Sequence, residues 1–456
     1  GETYALVNAT LDPDKVRDRV TPPTNGSVVS VSVTANGATA TAFAPMGTVY
    51  RATVSGATAW DSIQWTPNTG KPGTGDTAIL TLTGDADLIG AGQVAMLQVY
   101  ADGHAVSRAN GITATSWHFL EDATLALKQG QTLPTFATAP KRVRYDYPYT
   151  SRYTTTAAYE TEFAAGYEAD HLVQGGGLVE FSGGEVRMTR WESQVDNGTA
   201  LSATTGIFSG TVRLFVESDT ARENGLRLAD STIVFRDQAQ AEISRIQLRG
   251  SNNTPTSRLT LEGEARVVLT GTQNSGDYFS LHLGDWDGTG IVTVRDNARL
   301  IATGADMLLG GTGENGLSEV TIEDEAEVRV RGILRYRASR GAINLNGGRL
   351  LIGSSGIYSA NDASSTITLN FNGGAFGAWE DVSLGADAAS ACQTVTGDPV
   401  LLSTDGATLT LADGTNLFTT ALDLTVREGT VRGEVATLPN LRLEGGTFVV
   451  GAAAQV

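Results

Sequence analysis

Cysteine is almost missing from this chain of 456 residues: Cys392 stands alone, so no intramolecular disulfide framework staples the fold. A single thiol of this kind reads as a small buried hydrophobe. Lysine is nearly as scarce, confined to Lys15, Lys71, Lys128 and Lys141, and acidic residues outnumber basic ones to give a net charge of -18. That charge argues against nucleic acid as a partner, because a phosphate backbone demands a basic footprint. It suits a chain that must stay dispersed in solution. No apolar run approaches the roughly 18 residues of a membrane-spanning helix, and the opening Gly1 in a polar segment reads as a processed chain. His104, His118, His171 and His282 are scattered without metal-ligand spacing. Cys392 has no paired histidine motif, and neither a nucleophile elbow nor a phosphate-binding loop occurs. Catalysis is not expected.

What the sequence does hold is a repeat. SRLTLEGEARVVLTG from Ser257, LHLGDWDGTGIVTVRDNARLIATG from Leu281 and MLLGGTGENGLSEVTIEDEAEVRVRG from Met307 are versions of one unit, with a fainter copy, STIVFRDQAQAEIS, from Ser231. Each alternates apolar and polar residues, turns through an acidic corner onto an alanine, and alternates again. The alanines Ala239, Ala265, Ala298 and Ala326 lie 26, 33 and 28 residues apart. A period of this size marks a repeat architecture, and alternation at two residues marks strands rather than amphipathic helices. One such unit buries too little apolar surface to stand alone, so neighbouring units must stack, pairing at about 4.8 Å with their inward residues in columns. Leu259, Leu261, Val267 and Leu269 face inward in one coil, Val292, Val294, Leu300 and Ala302 in the next, and Val320, Ile322, Val328 and Val330 in the third. Thr260, Arg266, Thr293, Arg299, Thr321 and Arg329 then face water. Glycines at 284, 288, 290, 310, 311, 313 and 316 are expected at positive φ in the corners. With one coil per 26 residues, some 390 residues would extend roughly 70 Å.

Two stretches depart from this grammar. Residues 1–56 begin as a charged, proline-containing arm and continue into VVSVSVTANGATATAF from Val28, two strands with a hairpin signal at Asn36-Gly37. They form either a small β cap on the first coil or a segment that docks on another subunit. Residues 57–456 are then the repeat body, interrupted at about 141–167 by an insertion that holds half of the chain's 12 tyrosines. There Arg142, Arg144, Tyr145, Tyr147, Tyr149, Arg152 and Tyr153 form a candidate interaction surface, since tyrosine and arginine combine large contact area with polar reach. Its readings are packing against the body's own flank, subunit contact or a glycan.

LGDWDGTGIVTVRDNARL, with its near copies, resembles the type V secretion and PEP-CTERM-associated repeat of bacterial surface proteins. INLNGGRLLI from Ile343, LNFNGGAF from Leu369, LRLEGGTF from Leu441 and VEFSGGEV from Val179 resemble the strand, Gly-Gly, strand unit of autotransporter passengers. WTPNTGKPGTGDTAIL, from Trp65 to Leu80, resembles the segment that opens such a passenger. The resemblance runs from about Trp65 to the C-terminus. It implies an all-β fold, a right-handed parallel β-helix (β-solenoid) with an N-terminal β extension, secreted or displayed on a bacterial surface, and it says almost nothing about a ligand. The function expected is a non-enzymatic structural protein whose subunits associate head to tail into a filament, sheath or adhesive layer. A polysaccharide-binding or polysaccharide-degrading β-helix, an adhesin or a lyase or glycosidase, is the alternative. No cofactor is expected. Asp285 and Asp287 share one turn and Glu323, Asp324 and Glu325 another; stacked with Glu262 and Asp296 they read as solvated corner residues, or as a ladder of oxygen ligands for Ca²⁺.

Overall fold

The computed structural model describes residues 2–7, 27–34, 37–151, 153–154, 158–169, 171–173, 176–192, 204–216, 225–249, 256–272, 279–285, 288–310, 317–336, 340–360, 366–412, 423–434 and 440–451. The chain is all-β, with long ladders of parallel strands. It divides into two compact units, 1–148 with 157–165, and 149–156 with 166–456. The division falls inside the tyrosine-rich stretch.

In the first unit, β1 (Glu2–Val7), β2 (Val28–Thr34) and β3 (Gly37–Phe43) form an antiparallel sheet with β3 in the middle. Thr34 pairs with Gly37, so the hairpin is present and Gly37 is already the first residue of β3; Asn36 lies outside the described residues. The parallel ladder begins with β4 (Val49–Ala59), β5 (Thr77–Ile89), β6 (Gly92–Tyr100), β7 (Ala105–Arg108), β8 (Ile112–Leu120) and β9 (Thr124–Leu127). Its rungs are short: Val106, Leu125, Val143 and Thr161 are register partners only 18 or 19 residues apart. The open side of β4 is partly closed by the chain itself. Arg51 exchanges backbone hydrogen bonds with Thr66, and beside it Trp65 packs tilted against Trp60 at 5.3 Å and edge to face with Tyr50 at 6.4 Å.

In the second unit the inward positions expected from alternation are all buried, as are the four marker alanines. One column runs Phe181, Phe208, Phe235, Leu261, Val294, Ile322, Leu345 and Phe371, each the direct register partner of the next. A second runs from Tyr167 through Val186, Leu214, Val267, Leu300, Leu350 and Phe376 to Val426 and Leu443. Where both faces of a strand are covered the alternation disappears, as at Met307–Leu309, which is buried throughout.

The corners differ from the expectation. Of the glycines anticipated at positive φ, Gly284 and Gly310 have it and Gly290 does not, while Gly311, Gly313 and Gly316 lie outside the described residues; the repeated corner before each alanine is held by aspartate, with Asp237, Asp296 and Asp324 at φ of 60, 60 and 55° and Gly263 at 68° in the same place. Aspartate tolerates this region because its carboxylate finds local partners. Here the partner belongs to the preceding rung: Asp237 accepts from Gly210 N–H at 2.9 Å, Asp296 from Gly263 N–H at 2.7 Å, and Asp324 from Asp296 N–H at 3.2 Å. Replacing Asp296 with alanine keeps the strained φ and removes the cap. Urea unfolding is expected to show a loss of about 1–2 kcal/mol, with Asp296→Asn recovering most of it. Equal losses in both variants would show that the carboxylate's acceptor role does not matter.

Candidate interaction surfaces

The residues 141–167 form part of the ladders. Arg142–Tyr145 pairs in parallel with Thr124–Leu127 on one side and Glu160–Phe163 on the other. The register sets Arg142 opposite Glu160, and its guanidinium donates to Glu160 at 3.0 and 3.1 Å and to Glu162 at 3.0 Å. Arg144 grips Asp146 in a two-point bond of 2.7 and 3.2 Å, which raises the arginine's pKa further. Tyr145 is buried and stacks on Phe163 at 5.1 Å, with Tyr147 edge-on at 6.0 Å. In the second unit Tyr149 stacks on the buried Tyr167 at 6.0 Å and meets the buried Tyr153 edge-on. Tyr145 and Tyr153 are thus consumed by packing and the two arginines by carboxylates of their own unit. Tyr147 and Tyr149 are half-buried, and Arg152 lies outside the described residues.

The acidic corners are spent in a similar way. Asp237, Asp296 and Asp324 cap backbone N–H groups, Glu262 binds Arg295, and Glu264 accepts from Gln238 at 3.1 Å. The side chain of Asp285, and all of Asp287, fall outside the described residues. Among the described residues no three His, Cys, Asp or Glu side chains converge as metal ligands would, and no helix is long and apolar enough to cross a membrane. Cys392 is buried, and burial pushes its thiol up to about 12. His282 is buried and satisfied, with Nε2 2.8 Å from the Gly310 carbonyl and Nδ1 3.4 Å from Gln247. His118 is buried between Ser116 and Thr138, with Nε2 2.7 Å and Nδ1 2.9 Å from their hydroxyls.

Two further surfaces carry exposed side chains, the first within the C-terminal coil expected to receive another subunit and the second not expected from the sequence. The first is the last rung, Asn440–Leu443 and Thr447–Val450. Leu443 continues the column through Leu401 and Val426, which are fully buried, yet is itself 55 % exposed; Val450, stacked on Gly433 above Leu411, is 50 % exposed. The second is the outward face of the strands Arg213–Val216, Gln240–Ile243, Arg266–Leu269 and Arg299–Ala302. Register places Arg213, Gln240, Arg266 and Arg299 in one exposed column and Phe215, Glu242, Val268 and Ile301 in the next. Comparison of the chain with models of protein families, with curated proteins and with solved structures finds no match in any of the three.

Proposed function

We propose that this is a non-enzymatic structural protein of a bacterial cell surface or extracellular layer, a right-handed β-solenoid of the autotransporter-like kind whose subunits associate head to tail. One observation carries the reading: the rungs of the second unit add to one another by parallel pairing in register, and the last of the described rungs carries the exposed apolar side chains Leu443, Val449 and Val450. A rung of parallel strands with exposed apolar side chains is a template on which a further strand can add. In the first unit Thr66 and the tryptophans Trp60 and Trp65 pack beside β4, so the element offered to another copy is the N-terminal sheet, whose edge strands β1 and β2 each pair only with β3 among the described residues. A contact between unlike ends does not close on itself and propagates into a filament.

Electron microscopy and sedimentation of the purified chain, beside Leu443→Lys with Val450→Lys, test this. Both residues are exposed, so the double variant is expected to fold normally and to abolish filaments that the parent forms. A parent chain that stays monomeric at all concentrations would show that the open rung does not recruit a second copy, and would leave a continuation in cis as its cover.

A further inference from the structure

The column of Arg213, Gln240, Arg266 and Arg299 is an unusual feature in a chain of net charge -18. Arg266 and Arg299 are direct register partners, which sets their stems about 4.8 Å apart, and like charges directly opposite one another destabilise a sheet. Neither makes an ion pair among the described residues. The column is bounded by two carboxylates, Glu185 in register with Arg213 and Glu327 in register with Arg299, but both are engaged by other arginines: Arg329 and Arg349 share the buried Glu327, and Arg187 binds Glu185. Neutralisation from the adjoining corners is also limited, because Asp237 and Asp296 cap backbone N–H groups and Glu264 is bound by Gln238. Glu242 is the one carboxylate within the four strands' exposed face.

The neighbouring column adds a second chemistry. Phe215, Val268 and Ile301 point outward and are half-buried, forming an apolar strip beside the guanidinium row. The Phe215 ring lies under Arg187 at 4.5 Å and Arg213 at 5.4 Å, so it orients guanidinium groups by cation–π contact. We propose that this ribbon binds a linear polysaccharide bearing a carboxylate on each sugar, laid along the direction in which the rungs stack. Guanidinium groups match carboxylates two bonds at a time, their repeat along the stack meets a polymer that repeats its charge, and the apolar strip receives the C–H faces of the sugar rings. A single-stranded nucleic acid fits less well. It is held by stacking bases on aromatic rings, and the only ring on the ribbon is already occupied by arginines. This inference does not depend on head-to-tail assembly, since the ribbon lies on the lateral face of the ladder.

The test uses the full chain with polygalacturonate fragments as the probe, read by titration calorimetry at low and moderate salt. The expected result is binding that weakens as salt rises, that is absent for the fully methyl-esterified polymer, and that falls by roughly tenfold or more in Arg266→Gln with Arg299→Gln. Arg213→Gln is expected to weaken it as well, while Arg258→Gln, an exposed arginine on the other ladder, leaves it unchanged. Filament formation is expected to be the same in all these variants. Equal binding of the charged and esterified polymers, unchanged binding by the double variant, or tighter binding of single-stranded DNA would each overturn the proposal.

Discussion

Replacing Phe208 with alanine is expected to destabilise the second unit by about 3–5 kcal/mol. The ring is fully buried and stacks between Phe181 at 4.9 Å and Phe235 at 4.7 Å, nearly parallel to both, with Trp191 against it at 5.9 Å. In most cores part of such a loss is recovered because neighbours relax into the void. Here they cannot: Phe181 and Phe235 sit on rungs whose separation is set by backbone hydrogen bonds, so the missing ring leaves a gap across the ladder. Trp191 cannot swing to fill it either, because it already occupies the space above Gly206, where an added Cβ would come within 2.3 Å of the indole. The column itself supplies the control. Its next members are Leu261, Val294 and Ile322, so Phe208→Leu is expected to cost no more than about 1.5 kcal/mol. Urea unfolding followed by circular dichroism reads both. A Phe208→Ala variant no less stable than one at an exposed site would mean that this stack does not support its unit.

The same columns show which parts of the fold can be read without coordinates. From Ser257 to Gly332 the strands Thr256–Leu261, Arg266–Leu269, Thr289–Val294, Arg299–Ala302 and Leu317–Glu323 keep one face toward water, so their alternation survives and the inward set is legible residue by residue. In the first unit it is not, for two physical reasons. The rungs shrink to 18 or 19 residues, outside the period established by the marker alanines. The outward face is also covered: Ile79, Met96, Tyr100 and Leu120 are buried, with Phe43 and Val49 packed on them, and a strand buried on both faces reads as a continuous apolar run. For the tyrosine-rich stretch, packing within the chain was one of the readings open from the sequence, but its place in the ladders was not legible. RVRY and ETEF look unlike any repeat, yet their charges are complementary once Arg142 is set opposite Glu160, and that pairing was the signal available. Asp296 and Asp324 are exposed, as expected of solvated corner residues, but a carboxylate at a turn gives no hint of which backbone it also caps. Arg266 and Arg299 were correctly placed facing water, but only the register shows them to be adjacent, and adjacency is what turns two surface charges into a ribbon.

Lowering the pH from 7 to 4 is expected to weaken the first unit by about 3 kcal/mol through His118 alone. Burial disfavours the imidazolium and lowers the pKa from its ordinary value near 6.5 to about 4. Among the described residues no charged side chain faces the ring: its nitrogens meet the Ser116 and Thr138 hydroxyls, its register partner on β6 is the buried Gln98, and Phe43 lies edge-on at 4.7 Å. Both hydroxyls can accept a hydrogen bond from the protonated ring, so desolvation is what opposes its charge. The folded form therefore binds the proton less readily than the unfolded form does. The stability this confers is complete above about pH 6.5 and is lost as pH falls toward the folded value. Melting curves of the parent and of His118→Gln at pH 7 and pH 4 isolate the effect, because the carboxylates that titrate over the same range are common to both. The parent is expected to lose more stability than the variant by about the figure above. Because Phe43 is the β3 residue that packs on the ring, amide exchange in β3 and β8 is expected to accelerate before the rest of the unit does. Equal pH dependence in the two proteins would mean that the imidazole is hydrated in the folded chain, and that the N-terminal sheet does not seal it.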